Sequence, residues 1–407
     1  MPKINLKFPN GFLWGAASSA YQTEGNNSNS DWWSWEKSIV RTEELKAKGL
    51  NPKDFQSGIA CDFYNRYEED FALAEHLGHN TIRIGVEWSR IEPRQGEFKE
   101  EVLDHYEKML QSAKAHNLKV FLTLHHYTSP IWFSKKGGFA KKENVADFIS
   151  FAQKVVVRLS EYVDFWVTIN EPELYAAQGY LMGVHPPQVK SVFTAWKVIN
   201  NLIYAHNTVA QFIRLNTRQP VSMAFNQTDL QPAGFLGSLA AGLSDYLINE
   251  YILKRVIKYC DYIGLNYYFH HHVGLFGVRK HSHSQHNRTD RGWGIHPEGI
   301  ERVLLNLKKF GKPIYIIENG LADKTDSKRE NFIKDHLYFV HSAIQKGANV
   351  KGYLYWSLTD NFEWEEGFWP RFGLIEIDRE SLLKRKVRYS ALAYAKICKT
   401  NTLEYLQ

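Results

Sequence analysis

The sequence predicts an α/β fold, a single-domain (β/α)8 TIM barrel spanning residues 1–407, and three observations carry that expectation. Eight short apolar, β-rich runs recur along the chain, each followed by a longer amphipathic stretch. No Pro- or Gly-rich linker and no break in composition divides the 407 residues. At about 150 residues per domain this length would suggest two or three units, but α/β barrels routinely exceed that as one. Finally, the first run leads into SSAYQTEGN, with no G-x-G-x-x-G and no P-loop anywhere. A doubly wound open sheet, the alternative architecture, usually carries its glycine-rich turn there.

The runs are, in order, Phe12–Ala16, Thr81–Val86, Lys119–Leu124, Asp164–Ile169, Val221–Phe225, Tyr262–Leu265, Ile314–Ile317 and Gly352–Trp356. Near-continuous apolar runs alternating with helices imply parallel strands covered on both faces. Between them lie helical patterns: residues 64–78, 103–117, 145–163 and 331–347. Apolar residues return there at three- and four-residue spacing, and Gly78, Asn117 and Gly347 close three of the four. Between the fifth and sixth runs the chain has room for little more than one helix, near 234–259.

Composition narrows the function. Twelve Trp, 22 Tyr and 24 Phe make 14% of the chain aromatic, more large rings than one core buries easily, so a ring-lined pocket is expected. Net charge is +6 and its densest cluster, Lys384-Arg385-Lys386-Val387-Arg388, is short, whereas nucleic-acid binders concentrate charge in a patch or stripe. Cys61, Cys260 and Cys398 are too far apart for a CxxC metal site and too few for a disulfide framework. The N-terminal MPKINLKFPNGFLWG lacks a signal-peptide pattern, and the most apolar stretch, 235–248, is too short to span a bilayer. No nucleic acid, no membrane span and a cytoplasmic location are therefore expected.

In such a barrel the active site is built at the C-terminal strand ends. Read in order, those ends carry Gln22 and Glu24; Arg83 with Glu87-Trp88; His125-His126-Tyr127; Asn170-Glu171-Pro172; Asn226; Asn266-Tyr267-Tyr268; Glu318-Asn319-Gly320; and Trp356 followed by Asp360, Asn361, Glu363 and Trp364. Amides, imidazoles, carboxylates and indoles suit a neutral ligand rich in hydroxyls. No cofactor motif and no metal-ligand spacing appears among them. Glu171 and Glu318 each directly follow an apolar run. Glycoside cleavage needs such a pair, one acid for the leaving oxygen and one carboxylate on the opposite ring face.

Seven segments then resemble, in order and spacing, the motifs of glycoside hydrolase family 1, the β-glucosidases and relatives: FLWGAASSAYQTEG, EWSRIEP, TLHHYTSPIWF, FWVTINEPELY, IGLNYY, YIIENG and YLYWSLTDNFEWEEGF. The resemblance runs from Phe12 to about Ile397 and is nearest to the shorter prokaryotic and archaeal members. It implies a retaining enzyme acting on a small-molecule β-glycoside without a cofactor. Glu171 is then the general acid/base and Glu318 the nucleophile. Gln22, His125, Asn170, Glu363 and Trp364 match residues that bind the sugar hydroxyls, Arg83 and Tyr268 match groups that hold the nucleophile, and Trp356 matches the platform under the ring. Arg83 should hold the Glu318 pKa down, while burial and the charge of Glu318 should keep Glu171 protonated.

Some positions depart from the pattern or stay unassigned. The family's tryptophan after the strand-three histidine is read as His126. Branches acting on 6-phosphorylated sugars replace the glutamate at 363 with a smaller residue and add a lysine and a tyrosine shortly after. Here Glu363 is kept, and the later positions are Pro370 and Phe372. Trp132, Phe368, Trp369 and Phe372 are candidates for the mouth of the pocket. Glu24, Glu87, Trp88 and Glu173 read as scaffolding. The histidine-rich stretch 270–286 reads as an exposed rim loop, with metal binding as the alternative. The specificity expected is for terminal β-D-glucosyl units, with β-D-galactosyl and β-D-fucosyl alongside. The alternatives are a 6-phospho-β-glycosidase, a β-mannosidase or an inactive sugar-binding relative.

Overall fold

The computed structural model describes residues 3–233, 237–274, 277–279 and 287–406. Eight parallel strands close into a barrel: β1 (Leu13–Ala17), β2 (Thr81–Gly85), β3 (Lys119–His125), β4 (Phe165–Asn170), β5 (Val221–Asn226), β6 (Ile263–Asn266), β7 (Ile314–Asn319) and β8 (Val350–Trp356). Neighbours pair in chain order, and β8 returns to β1 through Leu354↔Gly15 and Tyr355↔Ala16. Every expected run is one of these strands, with ends displaced by at most two residues.

Each strand is followed by a covering helix: α1 (Phe63–His76), α2 (Glu100–Ala115), α3 (Val145–Leu159), α4 (Val192–Asn216), α5 (Gly237–Asp245), α6 (Glu298–Leu307), α7 (Arg329–Gln345) and α8 (Tyr389–Thr400). Their buried stripes, such as Phe148, Phe151, Ala152, Val155, Val156 and Leu159 on α3, press against the outer barrel face, and the main core lies between the two layers. A second cluster fills the barrel itself. Leu13, Phe121, Val167, Ala224, Ile317 and Leu354 from six strands, with Tyr262 just before β6, form it, and Phe121 stacks on Phe165 with centroids 4.1 Å apart. This floor closes the lower barrel, so polar side chains are confined to the layer above it, at the strand ends.

The segment between β5 and β6 is more broken than the single expected helix. Asp229–Pro232 forms a strand, α5 follows from Gly237, and short turns of helix at Tyr246–Glu250, Leu253–Val256 and Ile257–Tyr259 complete it. The Asp229–Pro232 strand pairs with His270–Gly274, placing the first histidines of the histidine-rich stretch in a three-stranded sheet. This corrects the expectation of a loop there. His281, His283 and His286 lie outside the described residues. Asp229, His270 and His296 bring ligand-type atoms together, but Arg302 already sits among them. Its Nη2 donates to Asp229 Oδ2 at 2.5 Å and lies 2.5 Å from His296 Nε2, so a guanidinium compensates the carboxylate.

Three of the four cations in the basic cluster near the C-terminus are held in ion pairs. Arg385 meets the buried Asp70 through Nε and Nη2, Lys386 pairs with Asp378, and Arg388 pairs with the buried Asp360. The three cysteines are buried free thiols. Among the described residues no helix is long and apolar enough to cross a membrane.

Candidate active site

A cavity of about 120 Å³ opens at the C-terminal strand ends, lined by Gln22, His126, Tyr127, Glu171, Asn226, Tyr268, Arg291, Trp293, Glu318, Trp356, Glu363, Trp364 and a few neighbours. The site is built from the barrel upward. Arg83, wholly buried inside β2, donates from Nη1 to Glu318 Oε1 at 2.5 Å, from Nη2 to Asn170 Oδ1 at 2.6 Å and from Nε to Thr123 Oγ1 at 3.0 Å. A buried guanidinium requires a counter-charge, and Glu318 supplies it. Tyr268 donates to the other oxygen of Glu318 at 2.9 Å.

Glu171 stands opposite on the chain, immediately after β4. Its backbone takes a left-handed turn with φ of 43°, rare for a residue with a side chain and concentrated at functional sites. Its Oε1 accepts from Asn266 Nδ2 at 2.9 Å and its Oε2 accepts from the Tyr127 hydroxyl. Asn266 Nδ2 also reaches Asn170 Oδ1 at 3.3 Å. Arg83, Asn170 and Asn266 therefore link the two carboxylates in one network. Neither glutamate is more than 5% exposed.

Burial is the largest influence on both carboxyls and raises both. At Glu318, Arg83 pulls back and the charge of Glu171 pushes further up. At Glu171, the Tyr127 and Asn266 hydrogen bonds pull back. The expectation that Arg83 holds Glu318 below its ordinary value is thereby corrected, because the guanidinium offsets only part of the desolvation. The two groups titrate as a pair. Arg83 bonds Glu318 alone of the two, which favours placing the first negative charge there and keeping the shared proton on Glu171.

The remaining sequence candidates divide. Trp356 lines the cavity and its indole donates to Glu363 Oε1 at 3.2 Å. Gln22 lines it too, oriented by donating to Asn361 Oδ1 at 3.0 Å and the Phe362 carbonyl at 2.9 Å. Trp364 lies flat against Tyr21, with an interplanar angle of 6°. Burial pushes the Glu363 carboxyl up to about 7 against the pull of Arg291. Asn170 lies beneath the cavity rather than lining it, with its amide committed to Arg83 and to His126.

His125 is misplaced by the sequence reading. Its ring points away from the cavity into Phe139, Phe148 and Tyr175, and Nε2 pairs with Ser129 Oγ at 3.2 Å. Successive residues of a strand face opposite ways, and the inward place belongs to His126. Its Nε2 accepts from Asn170 Nδ2 at 3.2 Å, so the ring proton lies on Nδ1, which has no partner among the described residues. The ring sits nearly parallel to Trp356 and to Trp364. His126 thus takes the cavity-facing position, and Tyr127 is the aromatic residue that follows it.

Sequence reasoning also missed Arg291 and Trp293, which reach the cavity from the loop after β6; no strand-end pattern marks that loop. Arg291 Nε lies 2.5 Å from Glu366 Oε2, and Nη1 lies 3.8 Å from Glu363 Oε2. Of the mouth candidates, only Phe372 lines the cavity. Trp132 packs against Trp88 and donates to the Glu92 carbonyl. Phe368 and Trp369 line a separate groove of about 820 Å³. Glu87 accepts from Ser89 and Thr128, and Glu24 from Tyr106, which fits scaffolding.

The family model of glycosyl hydrolase family 1 matches residues 4–264 and 248–403, almost the whole chain. The chain belongs to glycosyl hydrolase family 1. It is a glycoside hydrolase. Among family 1 relatives, β-glucosidase A of Thermotoga maritima is 31% identical over 98% of this chain and 99% of its own length. The β-galactosidase of Sulfolobus acidocaldarius is 29% identical, covering 97% of this chain and 96% of its own. The solved β-glycosidase from Pyrococcus horikoshii superposes with a TM-score of 0.89 at 35% identity, covering 98% of this chain and 96% of that one.

Proposed function

We propose that residues 1–407 form one catalytic barrel that hydrolyses terminal β-D-glucosyl units with retention, and β-D-galactosyl and β-D-fucosyl units alongside. The observation that carries the reading is the pair of buried glutamates on one cavity, each held by its own set of donors and joined through Arg83, Asn170 and Asn266. Glu318, ionised against Arg83, attacks the anomeric carbon. Glu171 gives its proton to the leaving oxygen as that bond breaks. In the second step the glycosyl ester has removed the Glu318 charge, and Glu171 takes a proton from water as the water oxygen attacks and the Glu318 carboxylate leaves. Trp356 supplies the apolar platform, while Gln22, His126, Glu363 and Trp364 face the hydroxyls. A β-glucosidase and a β-galactosidase among the relatives support this breadth.

Arg291 beside Glu363 favours a 6-phosphorylated sugar. Its charge is already met by Glu363 and Glu366, so the unphosphorylated reading stands. The free thiols Cys61, Cys260 and Cys398 support a reducing, cytoplasmic setting.

Chromogenic β-glucoside, β-galactoside, β-mannoside and 6-phospho-β-glucoside separate these readings. With the preferred substrate, Glu171→Ala should lose about 10²–10⁴-fold in rate when the leaving group is poor, and Glu318→Ala should lose nearly all activity. Azide should rescue Glu318→Ala to an α-glycosyl azide and Glu171→Ala to a β-glycosyl azide. Wild-type activity in Glu318→Ala would overturn the assignment.

A further inference from the structure

The Glu171 carboxyl is held at both oxygens, and the two donors differ in kind. Asn266 presents an amide N–H₂, fixed as a donor to Oε1. Tyr127 presents a hydroxyl to Oε2. The Tyr127 hydroxyl can accept from the protonated acid or turn to donate to the carboxylate, whereas the amide N–H₂ only donates. The pair therefore holds Glu171 as the acid of the first step and gives its carboxylate, the base of the second, a donor at each oxygen.

Tyr127 is built into this position. It stands two residues beyond the end of β3, with a left-handed φ of 68°, and lines the cavity. Its ring is wedged between His126, His185 and Trp364, with centroids 5.2, 6.2 and 5.0 Å away. Burial, with the charges of Glu171 and Glu318, pushes the phenol well above its ordinary value, so it keeps its proton throughout the working range. The other charged or titratable groups around Glu171 are Glu318, Arg83, Glu173 and Tyr268, and His126 and His185 flank Tyr127. None of these donates a hydrogen bond to Glu171 Oε2.

We propose that Tyr127 is a positioning residue for the acid/base, its hydroxyl orienting Glu171 and stabilising the carboxylate that activates water in the second step. The inference rests on Glu171 being the acid/base. Hydrolysis of the glycosyl-enzyme requires the Glu171 carboxylate to accept a proton from water while the bond between the anomeric carbon and Glu318 breaks. A hydrogen bond to that carboxylate sets its orientation and its fraction ionised, whereas attack by Glu318 on a substrate with an activated leaving group needs no proton from Glu171.

Tyr127→Phe keeps the ring and removes only the hydroxyl. With a 2,4-dinitrophenyl β-glycoside, kcat/KM should be unchanged while kcat falls about tenfold, the scale of one hydrogen bond to a charged group. With an alkyl β-glycoside the alkaline limb of kcat/KM should move up by about one pH unit, as Glu171 loses a donor to its charged form. Carbon-13 titration of the glutamate carboxyls in both proteins reads the Tyr127 bond without turnover. It therefore separates failure of this inference from failure of the Glu171 assignment, which Glu171→Ala tests. Parallel losses in kcat and kcat/KM with an unmoved Glu171 titration would overturn the proposal.

Discussion

His125 and His126 show how finely a single residue is placed. Both are buried and neutral, since burial drives the His125 imidazole down to about 3 and lowers His126 as well. Only the side of the strand they face distinguishes them. His126→Ala removes an Nδ1 donor aimed at the cavity and should lower kcat/KM by about 10- to 100-fold, with a small change in Tm. His125→Ala removes a ring packed among Phe139, Phe148 and Tyr175. It should cost about 1–3 kcal/mol of stability while leaving kcat/KM near wild type. Steady-state kinetics and thermal unfolding on the two variants read the difference directly. A reversed pattern would return the sugar-facing role to His125.

At the scale of the element, the close approach of β7 to β8 sets the distance between Glu318 and Trp356. Gly320 ends the β7 turn against the Trp356 carbonyl, and a Cβ built there would stand 1.8 Å from that oxygen. Backbone cannot yield as a flexible side chain does. Gly320→Ala should therefore force the strand ends apart, costing about 1–3 kcal/mol and lowering kcat/KM more than KM alone explains. A variant with wild-type Tm and kinetics would show that the two strand ends carry no such constraint. The same reasoning explains the loops. The turn after β8 brings Glu363 and Trp364 back over the barrel mouth, where Arg291 from the loop after β6 clamps Glu363 and Glu366.

Across the whole molecule, several carboxyls lie away from water with little or no compensation from a cation. Burial pushes Glu24, Asp31, Glu36 and Glu363 each up to about 7. A carboxyl whose folded value lies above its unfolded one binds its proton more tightly in the fold. That stabilisation is complete below the unfolded value near 4 and is lost as pH rises through 7. Surface acids such as Asp378 and Glu404, held down to about 2 by lysines, act in the opposite sense, and their contribution fails only as pH falls below about 4. Buried neutral histidines such as His79, His206 and His336, driven down to about 3, act against these carboxyls, their stabilisation growing as pH rises toward about 6.5. Glu36→Gln should therefore remove the loss of Tm that Glu36 contributes between about pH 4 and about pH 7. The same pH dependence of Tm in both proteins, read by calorimetry, would contradict the burial of Glu36 as a neutral acid.

The sequence by itself determined the barrel, because eight apolar runs with helical stretches between them have few ways to bury both strand faces. It also placed Glu171 and Glu318, within Asn-Glu-Pro and Glu-Asn-Gly, at strand ends, where side chains reach the cavity above the packed floor. Two kinds of fact it left to the tertiary structure. One is orientation within a strand end: the pair His125-His126 reads the same either way, and only the pleat and the partners Ser129 and Asn170 decide which ring faces the cavity. The other is contact across the fold. Tyr127 meets Glu171, and Arg291 meets Glu363, over separations of 44 and 72 residues. No local pattern encodes such distances, because they exist only once the barrel closes and brings its strand ends to one face. Burial belongs with them: the sequence placed Arg83 beside Glu318, but only the folded interior fixed how far desolvation outweighs that guanidinium.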